Sequence, residues 1–231
     1  MQISLEVILL VVELLLLAFT LFVVVQSRRE ERARGNLIGE MYRTARVFSR
    51  QEYFIAVMEA LLKAKTEVFG CVTGSSPRAD HESTVDRILD QIKVESSKGV
   101  NVWYLIPRSP DRIEMGSLYT RAGAKIRYHP GLIVNDLRYM VVDCRLVVIG
   151  LPEKSGEREP TRQGYAIPSE GMANLFQDHF ERYWESPEAT PYEVYVKELV
   201  SEIVRMNLGV SPDVVSRQLR IPDQEARSYM T

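Results

Sequence analysis

The sequence is poor in the residues that build metal and redox sites. It has three histidines and two cysteines in 231 residues, and no histidine has a cysteine close to it. Zinc sites need several Cys and His ligands at short, defined spacings, so neither a metal site nor another cofactor is predicted. Cys71 and Cys144 lie in apolar, strand-like runs. This favours buried free thiols in a reducing compartment over a disulfide.

A strong excess of either charge is also missing. The chain carries 29 Lys and Arg against 31 Asp and Glu, which gives a net charge of -2. Nucleic-acid-binding domains usually show a basic patch or a high positive charge, so the composition gives no overall signal for that function. The length suits one domain with appendages.

A long apolar run is present at the N-terminus, over residues 3–25. Its polar interruptions are Ser4, Glu6, Glu13 and Thr20. At about 1.5 Å per residue the run is long enough to cross a hydrocarbon core of roughly 30 Å. No Lys or Arg precedes it, and four arginines follow it within residues 28–34. We therefore expect residues 1–26 to form an uncleaved transmembrane helix in the cell membrane, with the N-terminus outside and the C-terminal domain in the cytoplasm.

Two glutamates interrupt this run on one helix face, because Glu6 and Glu13 are seven residues apart. A charged side chain at bilayer depth costs on the order of 3 kcal/mol. The pair either forms a polar face that binds another helix, or Glu13 is protonated and tolerated. The sequence leaves both interpretations open.

The rest of the chain divides into a charged juxtamembrane linker (27–49), an α/β domain (50–186) and a C-terminal helical region (187–231). Apolar spacing predicts helices at 51–65, 81–98 and 111–123, and strands at 67–73, 100–107, 125–129, 137–142, 145–149 and 164–168. Ser169 is the predicted cap of a helix that ends at Trp184. This order predicts a mixed β-sheet flanked by helices.

The segment from Asp136 to Gly150 has the spacing of a phosphodiesterase motif. Phospholipase D-like proteins carry His-x-Lys-x4-Asp, then an apolar strand and a Gly-Ser-x-Asn turn. In this chain Asp136 and Arg138 occupy the His and Lys positions, whereas Asp143 and Gly150 match the motif. The Ser and Asn positions hold Leu151 and Glu153. The chain resembles this family over roughly residues 50–186, including a closing helix with Phe176, Phe180 and Trp184.

The resemblance implies a phospholipase D-like fold without its catalytic residues. In the family the motif His is the covalent nucleophile, and an aspartate there would repel the anionic phosphate. No catalytic residue is therefore predicted. Asp136, Arg138 and Asp143 remain a candidate ligand-binding group, because an arginine can bind phosphate, carboxylate or sugar hydroxyls. The alternative is a structural cluster at a strand edge, in which Asp136, Arg138 and Asp143 pair only with one another.

Two further groups lie in the predicted strands. Lys125, Arg127 and His129 alternate onto one face, which favours the solvated face of an edge strand over a ligand site. Four aromatic residues are predicted to be core: Trp103, Tyr104, Tyr128 and Tyr139.

The pattern of the C-terminal region predicts an amphipathic helix over 191–207, followed by a helical hairpin. Ser211 and Pro212 begin one helix, and a second follows Pro222. This hairpin is similar to the helix-turn-helix of winged-helix regulators. However, its second helix sets Asp223 and Glu225 against Arg227, so a protein-interaction hairpin is an equal interpretation.

Together these expectations predict a single-pass membrane protein. Its inactive phospholipase D-like domain would act as a binding or scaffolding module. Its partners would be the lipid bilayer and a second copy of the chain or another protein, with nucleic acid less favoured. One alternative is an active phosphodiesterase or nuclease that works as a homodimer with a substitute nucleophile. Another is a membrane-tethered, ligand-sensing transcription regulator, by analogy with sugar-responsive regulators.

Overall fold

The computed structural model describes residues 16–17, 19–26, 28, 46–48, 50–73, 82–133, 137–151 and 164–230. The chain divides into two compact units, Met1–Thr44 and Ala45–Thr231. In the first unit, residues 16–17, 19–26 and 28 are helical (α1). Their large apolar side chains, such as Leu16 and Phe22, are exposed.

The predicted membrane span lies mostly outside the described residues, and Glu6 and Glu13 lie wholly outside them. Within the part of the chain that is described, no helix is both long and apolar enough to cross a bilayer. The transmembrane helix therefore stays a prediction, as does most of the linker.

The second unit is built on one eight-stranded sheet. Its strands are β1 (Arg46–Phe48), β2 (Glu67–Cys71), β3 (Asn101–Pro107), β4 (Lys125–His129), β5 (Arg138–Val142), β6 (Leu146–Gly150), β7 (Gly164–Ile167) and β8 (Thr190–Pro191). Their order is β1-β7-β6-β5-β2-β3-β4-β8. Strands β2, β3 and β4 are parallel, and the other neighbouring pairs are antiparallel. The predicted mixed sheet is confirmed.

Helices cover both faces of this sheet. They are α2 (Arg50–Lys63), α3 (Glu82–Ser97), α4 (Ile113–Arg121), α5 (Glu170–Trp184), α6 (Tyr192–Met206), α7 (Pro212–Leu219) and α8 (Asp223–Met230), with a 3-10 turn at Pro110–Arg112. Ser169 caps α5 as predicted, because its hydroxyl accepts a hydrogen bond from Met172 N at 3.4 Å. The α2, α3, α4 and α6 helices share the main core, and α5 packs on the opposite face.

The strand aromatics lie in the interior, as predicted. Tyr104, Tyr128 and Tyr139 are at most 4% exposed, whereas Trp103 is half-buried. Trp103 stacks on Phe69 with 4.8 Å between ring centroids. Both cysteines are free: Cys71 is buried, and Cys144 is half-buried in the β5–β6 turn rather than inside a strand.

The prediction of a solvated edge strand at Lys125, Arg127 and His129 is wrong for His129. Strand β4 is not an edge, because the short β8 pairs with it through Arg127. His129 is 5% exposed, and its Nδ1 accepts a hydrogen bond from Gly131 N at 2.9 Å. Only Lys125, at the start of the strand, is exposed.

Candidate functional site

The start of β5 and the end of β6 lie side by side at the edge where the parallel strands end. Arg138 pairs with Gly150 across the two strands, and Asp136 lies outside the described residues. The Arg138 side chain crosses directly over Gly150. A Cβ atom at Gly150 would overlap Cγ, Cδ and Nε of Arg138, so only glycine allows this path.

The far end of Arg138 is held by an aromatic ring. Its guanidinium carbon lies 4.9 Å from the ring centroid of Tyr53 on α2, within the range of a cation–π interaction. Burial raises the pKa of Tyr53 to about 12, although the nearby Arg138 opposes the rise. The phenol is therefore uncharged at neutral pH, and the Arg138 cation is held against the α2 side of the sheet.

Asp143 sits at the other end of β5. Five residues at about 3.4 Å each separate it from Arg138 by roughly 17 Å along the strand. Its carboxylate accepts hydrogen bonds from the backbone N–H groups of Lys65, Thr66 and Glu67 at 2.9–3.0 Å and from the Thr66 hydroxyl at 2.7 Å. Two members of the predicted ligand-binding group are therefore apart: Asp143 holds the β5–β6 turn to the start of β2, away from Arg138.

These contacts also set the charge of Asp143. Burial alone would raise the pKa of its carboxyl group, but hydrogen bonds from Glu67, Thr66 and Lys65 outweigh it and hold the pKa below its ordinary value. The hydrogen bonds favour the ionised form because a carboxylate accepts them better than a carboxylic acid. Asp143 is thus a charged structural anchor.

A second polar group lies next to Arg138 and was missed from the sequence. The Tyr139 hydroxyl and His179 Nδ1 are 2.8 Å apart. Burial lowers the pKa of His179, and Arg182 lowers it further, so this imidazole is neutral at pH 7. Burial raises the pKa of Tyr139, which keeps it protonated. The only sequence signals were the positions of Tyr139 beside Arg138 and of His179 in the closing helix.

This hydrogen-bonded pair continues into a row of rings. Tyr183 lies 4.9 Å from His179 and meets His129 edge-on at 4.8 Å. His129 Nε2 is 3.8 Å from a carboxylate oxygen of Glu188. Burial lowers the pKa of His129, although Glu188 opposes the shift. The row connects the end of β4 to α5 on the side of the sheet that faces away from α2.

The two polar groups cannot hold one ligand directly from the same side. Arg138 and Tyr139 are consecutive strand residues, so their side chains point to opposite faces. Arg138 faces Tyr53 on α2, whereas Tyr139 faces His179 on α5. Among the described residues no group of three or more His, Cys, Asp or Glu side chains is arranged to hold a metal ion. The edge thus offers an arginine on one side and a neutral imidazole with a phenol on the other.

The helical hairpin at the C-terminus is confirmed, and its second helix packs on the body of the unit. Glu225 on α8 accepts hydrogen bonds from the hydroxyls of Ser117 at 3.0 Å and Tyr192 at 2.5 Å. Ala226 is fully buried, and Arg220 pairs with Glu114 at 3.1 Å. Helix α8 occupies the position of the recognition helix in the helix-turn-helix comparison. Its Glu225 side chain therefore points toward α4 and α6.

No protein-family model and no curated protein matches this chain. Similar solved structures include Nuc, a phospholipase D family member from Salmonella typhimurium (17% identity, TM-score 0.49, 64% of this chain and 97% of that one). NucT from Helicobacter pylori has 11% identity and a TM-score of 0.48 over 64% of this chain and 98% of its own. The archaeal chromatin protein TrmBL2 has 17% identity and a TM-score of 0.45 over 78% and 69%. Likenesses at these identities and TM-scores assign no function to the chain.

Proposed function

We propose that this chain is a catalytically inactive phospholipase D-like module that works by binding another molecule. The placement of Arg138 carries the proposal. This residue stands at the position of the motif Lys, with its stem packed over Gly150 and its guanidinium on the Tyr53 ring. Phosphoryl transfer needs cations aimed at the transferring group, and a cation held on a core tyrosine is poorly placed for that task.

The residue types around Arg138 support the same conclusion. Asp136 replaces the nucleophilic His and adds negative charge where a phosphate would bind. Leu151 replaces the motif Ser directly after β6, which removes a polar partner for the developing oxyanion. Asp143 keeps its motif position and accepts four hydrogen bonds from Lys65, Thr66 and Glu67 at the start of β2, and this anchoring role does not require catalysis.

Phosphodiester hydrolysis tests this proposal directly. The full-length protein should hydrolyse bis-p-nitrophenyl phosphate no faster than a buffer blank. The pair Asp136→His with Arg138→Lys should not create activity, because Leu151 and Glu153 remain. Wild-type turnover that disappears in Arg138→Ala would overturn the proposal and favour an enzyme that uses this arginine.

An active phosphodiesterase with a substitute nucleophile is the second candidate, and His179 is the residue that favours it. A neutral imidazole hydrogen-bonded to a phenol lies at the edge where the parallel strands end, and open α/β sheets commonly bind ligands there. Turnover that is lost in His179→Ala but kept in Arg138→Ala would select this candidate. The regulator alternative has less support, because Glu225 of α8 is engaged with Ser117 and Tyr192.

We further propose that the module is held at the cytoplasmic face of the cell membrane. The support is the apolar run over residues 3–25 and the four arginines after it, each worth about 1 kcal/mol near anionic headgroups. A cysteine placed near Met1 should react with an impermeant maleimide in intact cells, and one placed within residues 153–162 should not. Labelling of the second cysteine from outside would contradict this orientation.

A further inference from the structure

A groove of about 550 Å³ opens between the start of α4, the second half of α6 and the end of α7. Leu199, Ile203 and Leu219 supply apolar side chains to its lining. Met206 lies at the groove and is 67% exposed, and Leu208, just beyond it, is 94% exposed. Large apolar side chains grouped in and beside one groove are typical of a surface that binds a partner.

Carboxylates dominate the polar part of the lining. Asp111, Glu114 and Glu202 contribute three negative charges and Arg220 one positive charge, which gives a net charge of -2. Two of these carboxylates already have a cationic partner: Arg220 pairs with Glu114 at 3.1 Å and Arg112 with Asp111 at 3.3 Å. Glu202 is the third and is exposed, so the groove combines an apolar lining with a local negative charge that favours a cationic partner.

The apolar side chains of α6 extend over a distance that matches the anchor spacing of an amphipathic helix. Leu199 and Met206 are seven residues apart on α6, or about 10.5 Å at 1.5 Å per residue. The anchors of an amphipathic helix, spaced at i, i+4 and i+7, cover the same distance. Exposed Met side chains suit such a surface because they adapt to the shape of the bound residues.

We propose that this groove binds an amphipathic helix of a partner protein. The apolar stripe of that helix would lie along Leu199 and Met206, beside Ile203 and Leu219, which are already buried in the core. Its Lys or Arg side chains would face the carboxylates of the lining. The lining of the groove includes neither Arg138 nor His179, so this inference stands whether or not the module is catalytically inactive.

Photo-crosslinking in the full-length protein tests the groove. The photoreactive residue p-benzoylphenylalanine would replace Met206. The probe would be a biotinylated, stapled helix of about three turns, with leucines at i, i+4 and i+7 and flanking lysines. A matched probe carries glutamates in place of the lysines. The lysine probe should be captured about fivefold more strongly, because Glu202 attracts the lysines of one probe and repels the glutamates of the other.

Two substitutions on the same helix control for charge and folding. Glu202→Lys should lower capture of the lysine probe by about threefold and raise capture of the glutamate probe. Glu193→Lys changes an exposed residue of α6 that is not part of the groove lining, and capture should not change. Equal capture of both probes, or a Glu202→Lys protein that behaves like Glu193→Lys, would overturn the proposal. A covalent dimer of the chain in place of probe capture would also overturn it, because a second copy would then occupy the groove.

Discussion

Replacing Asp143 with alanine should destabilise the fold while leaving the start of β5 intact. The substitution removes four hydrogen bonds that join the β5–β6 turn to Lys65, Thr66 and Glu67. A shielded hydrogen bond to a charged group contributes about 1.5–3 kcal/mol. Asp143 is half-buried, and water can replace part of what is lost. We therefore expect the free energy of unfolding to fall by about 2–3 kcal/mol in total.

The backbone conformation of Asp143 makes Asp143→Asn a useful second variant beside Asp143→Ala. Its φ of 49° lies in the left-handed region, where Asn and Asp are tolerated better than Ala. Asp143→Asn keeps that tolerance and one acceptor oxygen, so it should lose only about half as much stability as Asp143→Ala. Asp143→Asn removes the charge but keeps one acceptor oxygen, whereas Asp143→Ala removes the charge and both oxygens. The difference between their free energies of unfolding therefore measures the contribution of that acceptor.

Urea and thermal unfolding of residues 45–231, followed by circular dichroism, measure this effect. A loss of 2–3 kcal/mol should lower the melting temperature by roughly 5–10 °C in a domain of this size. The folded-state pKa of Asp143 is lowered, so its stabilisation is complete above the unfolded-state pKa. That stabilisation is lost as the pH falls through the lowered folded-state pKa. Equal urea midpoints for the wild type and Asp143→Ala at neutral pH would refute the anchor role.

Two further predictions concern packing. Gly150→Ala should displace Arg138 from Tyr53 and lower the free energy of unfolding by about 1–2 kcal/mol. This loss should largely disappear in an Arg138→Ala background. An unchanged loss there would contradict the clash between the new Cβ and Arg138. Glu225→Ala leaves the buried hydroxyls of Ser117 and Tyr192 without their acceptor, which should cost about 2–3 kcal/mol and speed hydrogen exchange in α7 and α8. Asp223→Ala, an exposed change on the same helix, is the control, and equal exchange rates in both variants would contradict a fastening role for Glu225.

Much of the fold follows from local patterns. The strand at Lys125–His129 and the helix after the Ser169 cap begin and end where the sequence predicts. The sequence interpretation missed β1 and β8 because neither has a pattern of its own. Strand β8 has two residues, one of them Pro191, and exists only because it pairs with β4. Such short strands are set by tertiary pairing rather than by local propensity.

The site was harder to predict for the same reason. The strands predicted at 137–142 and 145–149 are neighbours in the sheet, and Arg138 pairs with Gly150 across them; the sequence did not predict that register. The partners of Asp143 lie 76–78 residues away in the chain, and Tyr139 is 40 residues from His179. Nothing in a single sequence connects residues at those separations, so the motif spacing could not show that Asp143 binds Lys65, Thr66 and Glu67.

The alternation of Arg138 and Tyr139 limits what this edge of the sheet can do. On the α2 side the space is filled, because Arg138 covers Gly150 and the Tyr53 ring lies where a Cβ of Gly164 would be. On the α5 side Tyr139 and His179 form a polar pair. Because Arg138 and His179 lie on opposite faces of the sheet and distant sites usually contribute independently, the effects of Arg138→Ala and His179→Ala on stability should add. Strong coupling between them would mean that one ligand or one network spans both faces of the sheet.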